Sequence, residues 1–104
     1  VQPQRGDKKR LDFVATGYDR ELAIEVKWVK HRGLNIVSDL EKLQGVLNTN
    51  PKVYALLCVF GRRSFIEELD LTEQSFKEWG KPVYAEFKTT RYGCRVFQLK
   101  RESA

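Results

Sequence analysis

The chain has 104 residues, 41% of them hydrophobic, and carries 19 lysines and arginines against 14 aspartates and glutamates, for a net charge of +5 and a pI near 9.4. That length suits one domain, residues 1–104, which buries roughly two-thirds of its unfolded surface without staples. Nothing in it resembles a signal peptide or an apolar run long enough to cross a membrane, so neither a span nor secretion is supported and the cytoplasm is the expected location.

The two cysteines, Cys58 and Cys94, lack metal-ligand spacing, and one histidine cannot supply a His-rich site, so zinc is not expected. Both cysteines read as reduced packing residues, with a disulfide as the lesser alternative. The positive balance suits a polyanionic partner whose phosphates it would neutralise.

In chain order, VQPQRGDKKR is a basic lead-in in which Pro3 and Gly6 discourage regular structure. It is either a solvated terminus or a phosphate-contacting arm. From Arg10 to Trp28 the sequence predicts two short strands around a tight turn. Leu22, Ile24, Val26 and Trp28 alternate with Ala23, Glu25 and Lys27, so Glu25 and Lys27 share a face. A turn centred between Tyr18 and Asp19 sets Asp12 directly across from Glu25. Like charges so opposed repel unless something between them offsets the repulsion, and a divalent cation would do so. The alternative is an exposed surface ladder with Asp12 paired to Lys27. Lys30, His31 and Arg32 cluster in the loop that leaves the hairpin.

Residues 36–48 read as a helix, with Ser38 and Glu41 as a capping box, Ile36, Leu40, Leu43 and Leu47 as the apolar stripe, and Asn50-Pro51 as the stop. Gln44 lies at the edge of that stripe, and Gly45 inside the helix hints at close backbone packing. The run KVYALLCVF, 52–60, is apolar enough for a central strand, which makes a β-α-β unit with an expected right-handed parallel crossover. A second helix is expected after an Asp70/Glu73 cap, with Leu71, Phe76 and Trp79 inward and Gly80 and Pro82 ending it. KPVYAEFKTT and CRVFQLKR then form a hairpin around TRYG, placed at a sheet edge by Lys88, Arg95 and Lys100. The fold class that follows is α/β, a mixed central β-sheet with flanking helices.

Two strands carry a Glu-x-Lys triplet, Glu25-Val26-Lys27 and Glu86-Phe87-Lys88. The second has no acidic partner nearby, since Asp70 serves as a cap and a helix separates the two; a solvated cross-strand pair explains it. The first has Asp12 across a two-residue turn. An Asp followed by E-x-K on the next strand, then a helix and a buried strand, resembles the PD-(D/E)xK nuclease superfamily with its restriction-endonuclease-like core. The resemblance covers 10–60 and leaves 61–104 as a family-specific addition. Leu11 stands where the motif's name has Pro, and the upstream helix that often brings a further Glu is not in this sequence.

The resemblance implies a Mg2+- or Mn2+-dependent nuclease, an endonuclease rather than an exonuclease, hydrolysing phosphodiesters of DNA or RNA. Magnesium takes hard oxygen ligands, so Asp12, Glu25 and the backbone carbonyl of Val26 are the expected set. Lys27 would orient the attacking water or hold the phosphate, and Gln44 matches a helix glutamine that some branches keep near the site. Lys8, Lys9, Arg10, Lys30 and Arg32 are the expected nucleic-acid contacts. A homodimer or fusion to a larger protein is expected by the same resemblance. Two other readings remain open: a catalytically inactive nucleic-acid-binding domain with a nuclease-like fold, and a protein-interaction domain whose charges are only surface.

Overall fold

A computed structural model of the chain describes residues 13–17, 20–31 and 35–101, with side chains from Glu21 onward. Strands β1 (Phe13–Gly17), β2 (Arg20–Val29), β3 (Val53–Arg62), β4 (Phe76–Glu78), β5 (Val83–Phe87) and β6 (Thr90–Leu99) form one mixed sheet. Its order is β1-β2-β3-β6-β4, with β5 also on β6. Helix α1 (Val37–Thr49) connects β2 to β3, and a short helix α2 (Arg63–Glu67) follows β3 directly. The α/β class and mixed sheet are thus those the hydrophobic periods predict. Among the described residues no helix is long and apolar enough to cross a membrane.

The first hairpin has the register that a turn centred between Tyr18 and Asp19 requires: Phe13 opposes Ile24, Ala15 opposes Leu22 and Gly17 opposes Arg20. Asp12 and the turn residues themselves lie outside the described residues. The β-α-β unit also forms as expected, with β2 and β3 parallel and Glu25 beside Leu57. Continuous apolar sequence makes β3 the central strand, because both its faces are covered or half-covered. Ala55, Leu57 and Val59 from β3, with Phe97 and Leu99 from β6, meet Leu43 of α1 and Ile66 of α2 in one core, against which Leu40 and Leu47 also pack. Near the ends of the parallel pair, a Cβ built on Gly61 would lie 2.5 Å from the carbonyl oxygen of Val29, so that approach of β3 to β2 requires glycine.

Six expectations are corrected. The Ser38/Glu41 capping box does not form; burial of Ile36 pulls the start forward, and Asn35 Oδ1 accepts the Val37 N–H at 3.2 Å in its place. Gly45 faces open space rather than a close neighbour.

The stretch after Asp70 is not a helix. Asp70 accepts from both the N–H and the hydroxyl of Thr72, one 3-10 turn runs Thr72–Gln74, and Ser75 at φ 68° breaks it. Phe76 then enters the core at 1% exposure while β4 hydrogen-bonds to β6, so sheet pairing overrides the cap signal. Trp79, expected inside, is 39% exposed, with its ring 5.5 Å from that of Tyr54.

The last hairpin turns at Lys88 and Thr89, with Lys88 at φ 58°, and TRYG belongs to β6. Strand β6 is interior rather than an edge. Arg95 is tolerated there because it donates to the carbonyls of Ile66 and Leu69 at 2.8 and 3.0 Å and pairs with Glu78 at 2.7 Å.

Candidate functional site: the E-x-K strand under helix α1

Alternation along β2 sends Glu25 and Lys27 to the face that α1 covers, and a side chain two residues further along a strand is displaced by about 6.6 Å. On α1, Asp39 and Lys42 are three residues apart and therefore neighbours on one face. The two spacings match well enough for two crossed ion pairs. Lys42 Nζ lies 2.9 Å from Glu25 Oε1, and Lys27 Nζ lies 2.8 Å from Asp39 Oδ2. Glu25 is 3% exposed and Asp39 7%.

Charges at that depth persist only when matched, and each carboxylate here faces an ammonium. The Lys27 side chain keeps 29% of its surface exposed, which leaves it within reach of a solute.

Asp39 and Lys42 were not among the residues the sequence singles out. Their signal is their place on either side of Leu40, at the border of the apolar stripe. Recognising it requires knowing which way α1 is rotated over β2, and helical period alone does not supply that. Gln44 is exposed and takes no part in these pairs. Val26 is half-buried, its side chain on the opposite face of the sheet from Glu25, and Lys30 is exposed. Asp12, Lys8, Lys9, Arg10 and Arg32 lie outside the described residues. The rival triplet behaves as a solvated pair: Glu86 opposes Arg91, their side chains 3.8 Å apart and largely exposed.

For a divalent cation the described residues are a partial fit. Glu25 offers one hard oxygen donor, but the two carboxylates and two ammoniums cancel, and no group of three His, Cys, Asp or Glu side chains converges among the described residues. A metal at Glu25 needs the second carboxylate that Asp12 is expected to bring. Set against models of known protein families, characterised proteins and solved structures, the chain finds no match, so its functional reading rests on this strand and the helix above it.

Proposed function

We propose that the chain is a metal-dependent nuclease of the cytoplasm, built on a restriction-endonuclease-like core and hydrolysing phosphodiester bonds of DNA or RNA. The observation that carries the reading is the placement of Glu25 and Lys27 on one face of a strand that leads through α1 into a parallel, buried neighbour. Glu25 and Asp12 are the residues that would hold Mg2+ or Mn2+, whose chemistry is activation of water and stabilisation of charge on the phosphate. Lys27 contributes a cation that holds a phosphate oxygen or orients the water. Asp39 fixes the direction of that ammonium, and Lys42 matches the charge of Glu25 and holds its carboxylate in place.

The test is incubation of the protein with labelled single- and double-stranded DNA and RNA in Mg2+ or Mn2+, with chelator and Glu25→Ala controls. Metal-dependent shortening that disappears in Glu25→Ala is expected. Intact substrate under every condition overturns the nuclease.

A second reading, a nucleic-acid-binding domain without chemistry, is favoured by the Lys42 ammonium already resting on Glu25. It predicts binding to nucleic acid with no cleavage, unchanged by Glu25→Ala.

A further inference from the structure

Beyond Lys27, toward the carboxyl ends of the parallel strands, β3 runs directly into α2, and the β5–β6 turn lies alongside. Between them is an open groove of about 560 Å³ lined by Arg62, Arg63, Ser64, Glu67, Thr89 and Arg91 among others. Three guanidinium groups share it with one carboxylate, so its sign is positive.

Each arginine is held differently. The Arg63 guanidinium stacks 4.1 Å from the centre of the Tyr84 ring and donates its Nε–H to Glu67, which leaves its two terminal nitrogens without a partner among the described residues. Tyr84 is held in turn by Gly93, where an added Cβ would lie 3.1 Å from the ring. Among the described residues Arg91 has the 3.8 Å pairing with Glu86, and both side chains are more than half exposed, so that pair is weak and exchanges readily for a better acceptor. Arg62 enters no salt bridge among the described residues.

Arginines lining one groove beside Ser64 and Thr89 supply the chemistry that grips phosphate oxygens, which accept bidentately from arginine. The groove also lies where ligands of parallel strands bind, outside their carboxyl ends. Lys27 stands beside Val59, and Arg62 follows Val59 by three residues, a rise of about 10 Å. Arg91 lies on the same helix-covered side of the sheet as Lys27 and Arg63 opens α2 on that side, whereas Arg62, opposite Tyr92, leaves β3 from the other face at the strand end and still lines the groove.

We propose that this groove binds the phosphates of the nucleic-acid strand a few nucleotides from the phosphodiester held at Lys27. The inference rests on the nucleic-acid reading above, but it concerns binding and not cleavage.

The test is fluorescence anisotropy with a labelled 20-mer, as single-stranded DNA, single-stranded RNA and duplex, in chelator, across a series of salt concentrations. Arg62→Ala/Arg91→Ala, both exposed or half-exposed positions whose loss should leave the melting temperature unchanged, is expected to weaken binding at least 10-fold. It should also lower the slope of log K against log salt by about 1.4 for single strands, about 0.7 per phosphate contact removed. Glu86→Gln, which releases Arg91, is expected to tighten binding about 2-fold, a gain that misfolding cannot imitate. Affinity and slope unchanged in the double variant, or no wild-type binding at low salt, overturn the groove. The nuclease proposal fails separately: binding that depends on Arg62 and Arg91 without cleavage supports the groove alone, and cleavage indifferent to them supports the nuclease alone.

Discussion

Glu25 and Lys27 illustrate what a two-residue period reveals and what it hides. Alternation identifies them as partners on one face, but the identity of the charges that meet them depends on the rotation of α1. The Lys27–Asp39 pair is therefore the sharpest test of that packing. Asp39→Ala strands an ammonium beneath the helix and is expected to cost about 2–3 kcal/mol, below the 3–5 of a fully buried pair because the Lys27 side chain is 29% exposed. Chemical denaturation measures it, and a loss under about 0.5 kcal/mol would mean the pair does not hold in solution.

The thiols make a second case. Burial, then the Cys94 sulfur 3.5 Å away, pushes the Cys58 thiol up to about 11 from 9.0. Below pH 9 both folded and unfolded thiols are protonated and the stabilising difference is fully present. Between 9 and 11 the unfolded chain loses its proton first, so stability falls as pH rises. Alkylation of Cys58 in the native protein, followed by peptide mass mapping, should accordingly rise with a midpoint near 11 that Cys94→Ser lowers; a Cys58 midpoint at 9.0 in the wild type would contradict it.

Elements with a strong period were legible, and those decided by competition were not. The apolar stripe of α1 and the unbroken run of β3 each leave one solution, and both elements form as their sequences predict. Asp70 with Glu73 satisfies a helix-cap pattern equally well as an aspartate-led turn, and what decides is remote: β6 offers Phe76 a ladder to join and a core to fill. The same blindness moved the last turn, because TRYG contains a glycine, yet Gly93 is needed inside β6 to make room for Tyr84. Helix α1 offers a clean trial, since Gly45 has open space around its Cα. Gly45→Ala should stabilise the protein by about 0.5–1 kcal/mol through helix propensity alone, read as a higher denaturation midpoint at unchanged slope. A destabilised variant would show that the position contacts something.

Taken whole, the described part of the molecule is asymmetric. Helices α1 and α2 pack on one face of the sheet, whereas the other carries half-buried Tyr54, Phe60 and Tyr92 with Trp28 at 43% exposure, and Val83 and Phe87 at 66% on β5. The paired charges of Glu25 and Lys27 meet α1 on the helix side, and Arg91 belongs to that side too, whereas Arg62, opposite Tyr92, leaves β3 from the other face.

Gly61 ties these two regions together. Glycine there lets the E-x-K strand and the strand that delivers Arg62 run as a close parallel pair, which their ladder holds together. If the chain is the nuclease proposed above, that closeness would act as a ruler on a long substrate, setting how many nucleotides separate the gripped phosphates from the one that is cut. Gly61→Ala should cost about 1–3 kcal/mol by forcing the strands apart, and among chains that still fold it should shift the lengths of the products, which a sequencing gel resolves to one nucleotide. Unaltered product lengths would mean that the distance is set elsewhere.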